Sequence, residues 1–373
     1  MRYKEFGNTG IHISALGFGA MRLPGIKVEG GWAIDEDKSI AIMHRAFDLG
    51  VNYVDTAYVY WDRKSEIVVG KALKGRRDKV YLSTKLPITL IGQKQDYRRY
   101  LEEQLAKLDT DYIDFYHFHG LNTDYWEHIV LKHDLLDAAV RAKEEGLIRH
   151  ISFSFHDKPE VMKTFIDTGV FESVLCQYNM IDQANADAMA YARRKGLGVA
   201  VMGPVGGGRL ASPSSYIAEL SGNKYKSSAE LALRFVFENP DVDCALSGMF
   251  SMEMVEENAA AASAEGRLDR AEWERINAAM EETKRLADLY CTGCRYCMPC
   301  PKDIRIADAF LLMNLHRIFK LTDYARGEYR NFGTSEWYGA ALTDCADCGL
   351  CEQKCPQKIE IRRQLKEVIA ELG

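Results

Sequence analysis

The sequence contains no apolar run approaching the roughly 18 residues that a membrane-spanning helix needs. It has no basic excess either: 48 Lys and Arg stand against 54 Asp and Glu, a net charge of -6, which leaves no broad positive field for nucleic acid. Its first 14 residues, MRYKEFGNTGIHIS, lack the apolar core and small-residue cleavage site of a secretory signal. Cysteine is scarce over most of the chain, and only Cys176 and Cys244 precede residue 291. These absences predict a soluble cytoplasmic protein that partners neither membrane nor nucleic acid. In a reducing compartment, clustered cysteines bind metal rather than form disulfides. What is present is size: 373 residues, 47% of them hydrophobic, suffice for one large core and a small second domain.

Apolar, β-rich runs recur along the first part of the chain at 15–20, 52–57, 80–86, 112–119, 150–155, 173–179, 198–204 and 244–249. Helical periodicity fills the intervals, as in DEDKSIAIMHRAFDLG and DLLDAAVRAKEEG, each closing on a glycine suited to a left-handed cap. Eight alternations of strand and helix predict an α/β fold, a (β/α)8 TIM barrel. YKEF and IHIS, joined by GNTG, read as an extra hairpin ahead of the first barrel strand.

In such barrels the chemistry gathers where strands end. The second predicted strand ends in Asp55 with Tyr60 just beyond, the third ends in Lys85 and the fourth in His119. A phenol is a weak acid near neutral pH. A lysine ammonium beside it, held by a carboxylate, is expected to lower its pKa, and an imidazole can orient a carbonyl oxygen. Taken singly, Asp55 reads equally as a helix cap, Lys85 as a rim ion pair and Tyr60 as packing. Trp32, Trp61 and Trp126 are the aromatics expected near the mouth.

Together, NYVDTAYVYWDRKSEIVVGKAL, STKLP, DYIDFYHFHGL and CQYNMID resemble the corresponding stretches of the aldo-keto reductase family in order and spacing over roughly residues 1 to 260. The resemblance implies NAD(P)(H)-dependent reduction of a small-molecule carbonyl, or oxidation of the alcohol. It places the catalytic roles on Asp55, Tyr60, Lys85 and His119, with Tyr58 and His117 discounted on register. Ser154 and Gln177 match residues that hold the nicotinamide amide, with Asn179 as a support. The Asn usual after that Ser is Phe155 here, which removes one amide contact. GPVGGGRL matches the pyrophosphate loop, placing contacts on Gly206, Gly207 and Arg209, and Glu257 and Asn258 match the adenine-binding pair. The positions where many members set a Lys and an Arg against the 2'-phosphate fall on Gly248 and Met254. NAD(H) is therefore expected to bind at least as well as NADP(H).

A long charged helix pattern follows the last barrel strand, and then come two cysteine runs. CADCGLCEQKCP, with Cys345, Cys348, Cys351 and Cys355, has the C-x2-C-x2-C-x3-C-P spacing of bacterial ferredoxins. CTGCRYCMPCP, with Cys291, Cys294, Cys297 and Cys300, has one residue fewer before its Cys-Pro. A four-thiolate zinc knuckle is the alternative. Three cysteines at successive two-residue gaps plus a Cys-Pro, twice over, exceed what zinc needs. In two-cluster ferredoxins the fourth Cys of each run serves the other cluster. That pattern assigns one [4Fe-4S] cluster to Cys291, Cys294, Cys297 and Cys355, the other to Cys345, Cys348, Cys351 and Cys300. The expected organisation is an aldo-keto reductase-like barrel over 1–270, a helical linker over 271–289 and a mostly α ferredoxin-like domain over 290–373.

Nicotinamides pass electrons in pairs and such clusters pass them singly, a gap that a flavin normally bridges. No flavin motif is evident, so a flavin stays an open alternative beside a redox partner protein. Three readings follow: a reductase whose clusters connect it to a partner, a reductase whose clusters are structural or sense oxidants, or an electron-transfer or interaction protein whose barrel is not a conventional carbonyl reductase.

Overall fold

The computed structural model describes residues 1–29, 31–212, 214–222, 224–264, 268–288, 291, 297–355 and 359–373. Two strands, β1 (Tyr3–Glu5) and β2 (His12–Ser14), pair antiparallel in the hairpin expected around GNTG. Then follow β3 (Leu16–Gly19), the antiparallel pair β4 (Gly25–Val28) and β5 (Gly31–Ile34), and β6 (Tyr53–Asp55), β7 (Tyr81–Leu86), β8 (Ile113–Leu121), β9 (Ile148–Phe155), β10 (Ser173–Gln177), β11 (Gly198–Met202) and β12 (Cys244–Ser247). β3 and β6 to β12 pair in parallel and close into an eight-stranded barrel, with β12 returning to β3. Each barrel strand falls within or overlaps a predicted run. A parallel strand is buried on both faces, so its sequence is apolar throughout and stands out.

The chain divides into two compact units. The first, Met1–Pro204 with Ala232–Leu268, is the barrel. Phe6, just past β1, is buried among Ile13, Tyr53, Phe115, Leu175, Ala200, Cys244 and Leu246. Its ring meets Phe115 edge-on at 5.1 Å, and a Cβ on Gly198 would stand 2.6 Å from it. This plug fills the end of the barrel where strands begin, leaving the strands' C-terminal ends as the open mouth.

The second unit comprises Val205–Leu231 and Asp269–Gly373. It is helical: Ser215–Leu220, Arg270–Asp288, Ile306–Arg317, Thr322–Tyr329, Leu350–Lys354 and Ile361–Leu372 lie within it. Helix Ile306–Arg317 buries Ile306, Ala309, Phe310, Leu312, Met313 and Leu315 and packs against the two helices Thr322–Tyr329 and Ile361–Leu372. A boundary drawn at 270 leaves 205–231 with the barrel, whereas compactness groups that stretch with the later helices. Ser214 Oγ donates to the Phe319 carbonyl at 2.8 Å and Lys224 pairs with Glu272 at 3.0 Å, tying it there. No helix among the described residues is long and apolar enough to cross a membrane.

Candidate active site and a thiol-lined cavity

Asp55 is the last residue of β6 and pairs in register with Ser83 of β7, whose hydroxyl donates to Asp55 Oδ2 at 2.7 Å. Two residues along β7, Lys85 points to the same face. Its Nζ donates to Asp55 Oδ1 at 2.5 Å and to the Thr56 carbonyl at 2.7 Å, and both charged side chains are closed to solvent. An ammonium has three donors. With two so engaged, the ammonium stands 5.0 Å from the centre of the Tyr60 ring. The Tyr60 and His119 rings meet edge-on at 6.0 Å. Asp55, Lys85, Tyr60 and His119, drawn from three strands and a loop, are thus gathered into one cluster at the mouth.

His119 owes its direction to an irregularity. β8 breaks register with β9 between Phe118 and Leu121, and such bulges re-aim side chains. The Gly120 amide, within the break, donates to Ser154 Oγ at 2.7 Å. His117, paired in register with Lys85, is fully buried, and neither ring nitrogen has a regular hydrogen-bond partner among the described residues, although the Phe153 backbone faces it closely enough to raise its proton affinity slightly. Tyr58 is turned away. It is buried and donates to Glu103 at 3.0 Å, under Arg63 and Lys107.

The electrostatics follow from burial and from Lys85. Burial pulls the Lys85 pKa down, but Asp55 and then Tyr60 more than reverse it, so Lys85 keeps its charge. Burial raises the Tyr60 pKa above that of an ordinary phenol; Lys85 opposes this and Asp55 adds to it. This reverses the lowered phenol that the sequence predicts, for a physical reason: loss of water around a phenolate outweighs one ammonium already committed to a carboxylate. Tyr60 therefore holds its proton at neutral pH. Burial, then the Lys85 charge, then His156 and His117 depress His119 to about 3, leaving a neutral imidazole. His156, just after β9, contributes to this site. The strand-end rule that selected the other residues points to it as well, since it follows Phe155 directly.

Around this cluster, Ser154 is buried, and Phe155 packs against Phe165 rather than facing the mouth as an amide would. The Gln177 side-chain amide lies 2.7 Å from where a Cβ on Gly203 would stand, and Gly203 has φ +64, so only glycine leaves room for it. Asn179 spends its amide on backbone, donating to the Gly203 carbonyl just past β11 at 3.0 Å and accepting from the Ile181 amide of its own loop at 3.0 Å. Asn258 is buried and donates to Ser247 Oγ at 3.1 Å; Glu257 is exposed on the same helix, Met252–Ser263. A Cβ on Gly248 would stand 3.3 Å from the stem of Arg22, so a cation does approach this position from the segment after β3. Trp32 is exposed on β5 and Trp61 packs against Gly25 of β4, whereas Trp126 is buried against Phe165. In the second unit, Gly206, Gly207 and Gly208 run consecutively at φ +61, +68 and +102, left-handed backbone that glycine adopts without strain. Arg209 follows in the same turn, Gly206–Ala211.

The cysteines of the second unit that are described form no disulfide; Cys294 lies outside the described residues. Cys297, Cys300, Cys345, Cys348 and Cys351 all line one cavity of about 290 Å³. Ile304, Ile306, Leu350 and Leu365 supply apolar wall, and Lys302, Lys354 and Arg362 supply positive charge. Among the described residues, no three Cys, His, Asp or Glu side chains close on a point as a single ion would require. Thiols standing around a space suit a multi-atom, negatively charged cluster. Cys355 is buried, Cys291 and Cys297 partly so.

A parallel barrel with a carboxylate, ammonium, phenol and neutral imidazole at its mouth, joined to a helical unit with a thiol-lined cavity, defines a redox enzyme with a metal-cluster domain. Comparison with known proteins narrows the class. The model of the aldo/keto reductase family matches residues 15–281, and that of a 4Fe-4S dicluster domain matches 290–360. The chain is 30% identical to L-galactose dehydrogenase of Arabidopsis thaliana over 287 residues, covering 69% of this chain and 87% of that protein. It is 28% identical over 326 residues to the uncharacterized oxidoreductase YqkF of Bacillus subtilis (strain 168), covering 78% and 98%. The aldo-keto reductase AKR11C1 of Bacillus halodurans, in its holo form, superposes with a TM-score of 0.64 at 28% identity, covering 74% of this chain and 96% of that one. An aldo/keto reductase of Klebsiella pneumoniae solved with NADP and acetate gives 0.62 at 26%, covering 73% and 93%. The chain belongs to the aldo/keto reductase family. It is an NAD(P)-dependent oxidoreductase with an iron-sulfur domain of the 4Fe-4S dicluster type.

Proposed function

We propose that the barrel reduces a small carbonyl compound, or oxidises the corresponding alcohol, with Tyr60 as general acid, Lys85 and Asp55 setting its charge environment and His119 orienting the carbonyl. The arrangement of Lys85, saturated by Asp55 and Thr56 on one side and facing Tyr60 on the other, carries this reading. Reduced nicotinamide, when bound, supplies a hydride. The carbonyl carbon gains that hydride as the C=O π bond opens, and the oxygen takes the Tyr60 proton. Neutral His119 donates an N–H to the same oxygen beforehand and holds it toward the phenol. Lys85 then stabilises the phenolate left behind until solvent restores the proton. The raised pKa of Tyr60 keeps the acid loaded at neutral pH.

Ser154 and Gln177 are the proposed contacts to the nicotinamide amide, with Asn179 as a support that ties the segments after β10 and β11 together. Gly206, Gly207 and Arg209 are proposed for the pyrophosphate, and Glu257 and Asn258 for adenine. The cysteine runs are proposed to hold two [4Fe-4S] clusters by crossed ligation: Cys300, Cys345, Cys348 and Cys351 for one, Cys291, Cys294, Cys297 and Cys355 for the other. Such clusters, when assembled, pass electrons singly. We therefore propose a one-electron redox partner, reached directly or through a flavin. Thiols of this kind persist in a reducing compartment, so the proposed setting is the cytoplasm, without nucleic acid as a partner. The barrel within 1–270 and the cluster domain within 290–373 are the proposed functional parts, 271–289 linking them.

The test is spectroscopic. Anaerobically purified protein should show broad iron-sulfur absorption, and NAD(P)H should bleach it either alone or after added flavin. Clusters that stay oxidised under both conditions while carbonyl turnover proceeds would remove the electron-transfer part of the reading.

A further inference from the structure

Arg362 opens the helix Ile361–Leu372 and lines the cavity of Cys300, Cys345, Cys348 and Cys351. Its guanidinium is locked into the second cysteine run. Nη2 donates to Glu352 Oε2 at 2.8 Å, Nη1 donates to the Asp347 carbonyl at 3.2 Å, and its backbone amide donates to Glu352 Oε1 at 2.9 Å. The guanidinium lies beside Gly349, with Cζ 3.5 Å from where a Cβ there would stand, an ordinary van der Waals distance. Asp347, Gly349 and Glu352 all sit between the cysteines of that run.

The third donor is different. Although 40% of the side-chain surface is exposed, Nε itself is shut off from solvent and has no hydrogen-bond acceptor among the described residues, Asp347 Oδ1 being 3.8 Å away. A guanidinium is a rigid fork whose donors point in fixed directions. With both ends clamped, Nε cannot turn to find water, and a buried N–H without an acceptor is rarely left so in a folded protein. Glu352 already balances the positive charge, so what this cavity-lining side chain has left unspent is the Nε–H. Hydrogen bonds to cluster sulfur stabilise the reduced, more negative state and are among the determinants of its potential.

We propose that Arg362 donates its Nε–H to sulfur of the cluster held by Cys300, Cys345, Cys348 and Cys351 and raises that cluster's reduction potential relative to its neighbour's. The inference rests on the crossed ligand assignment. It makes this cluster the preferred resting place for a single electron within the domain. Arg363, exposed and engaged with Glu360 and Glu367, offers the cavity nothing and serves as control.

The experiment is an EPR-monitored redox titration of the anaerobic full chain, with dithionite as reductant and iron and sulfide counted for each variant. In Arg362→Gln one cluster's reduction equilibrium should fall tenfold or more, 59 mV for a one-electron couple, with the other unmoved and Arg363→Gln like the parent. If Arg362→Gln loses iron, Arg362→Lys decides the matter, because it keeps a charge beside Glu352 but has no Nε donor, and the same fall is expected. Unchanged potentials, or an equal shift of both clusters, would overturn the proposal. Cys300→Ser separates this from the ligand assignment: it should alter the EPR signal of the cluster that Arg362 tunes. If it alters the other signal while Arg362→Gln still lowers one potential, the crossed assignment fails and the Arg362 hydrogen bond stands.

Discussion

Lys85 Nζ and Asp55 Oδ1 lie 2.5 Å apart across neighbouring barrel strands, both shut away from water. Removing one partner of a buried pair leaves a bare charge and costs about 3 to 5 kcal/mol. Lys85→Met should therefore lose both activity and stability. Adding Asp55→Asn removes the orphan carboxylate, so the double variant should regain most of the stability and none of the turnover. Thermal unfolding and carbonyl reduction measured on the same samples check this; recovery of turnover in the double variant would show that the ammonium is not needed.

Tyr60→Phe is the cleaner probe of acid catalysis, since it removes one oxygen and leaves the ion pair in place. Loss of a general acid slows turnover about 10²- to 10⁴-fold, on the order of 3 to 5 kcal/mol. Nucleotide affinity, read by fluorescence titration, should barely change. Near-parental turnover would take the role from Tyr60.

Acid stability should report His117. Its pKa is about 3 in the folded barrel, depressed by burial first and by Lys85 second, against about 6.5 when unfolded. The unfolded chain thus binds a proton that the native one refuses. Stability from this group is complete above pH 6.5 and is lost as pH falls toward 3, by up to about 1.4 kcal/mol per unit. Glu172, held down near 2 by His150 and Lys143 against its own burial, adds a loss of the same sign at lower pH. His117→Asn should show a pH dependence of unfolding shallower by about one proton between pH 6.5 and 4, measured from denaturant midpoints. Coincident slopes would refute the depressed value.

Cluster assembly tests the crossed ligands. Anaerobic protein should carry about eight iron and eight sulfide. Cys300→Ala should damage the cluster nucleated by the later run, and Cys355→Ala the one nucleated by the earlier run. Stoichiometric zinc without labile sulfide would end the iron-sulfur reading.

Nucleotide choice is the finest prediction. A 2'-phosphate is normally met by a guanidinium or ammonium worth about 1.5 to 3 kcal/mol. Gly248 and Met254 offer neither, so NADH should bind at least as tightly as NADPH. A tenfold preference for NADPH, about 1.4 kcal/mol, would direct attention to Arg22, whose stem lies along Gly248, and to Arg209.

Legibility in the sequence varied with how local the cause was. The barrel strands showed because burial on both faces forces apolar runs, and the helices Glu36–Asp48 and Leu135–Glu144 showed because their apolar residues recur with helical spacing and end at Gly50 and Gly146. β4 and β5 did not show: largely exposed, they carry no apolar stripe. Nor did the three left-handed residues Trp61, Asp62 and Arg63, which follow Tyr60 without a glycine to announce them. His156 is legible only through its place at a strand end, and Arg362 is a single polar residue whose meaning lies in what surrounds it.

By itself the sequence determined the fold class, the two-part organisation, the identities of the residues at the strand ends and the supply of eight clustered thiols, since periodicity, spacing and strand order are properties of the chain read in line. Tertiary structure alone decided that Val205–Leu231 belongs with the later helices, that Cys297 lines the same cavity as Cys300, Cys345, Cys348 and Cys351, and that Tyr60 holds its proton more firmly than a free phenol. Each of these depends on distances and lost solvent between groups tens of residues apart, and electrostatic and packing energies follow separation in space, whatever the separation along the chain.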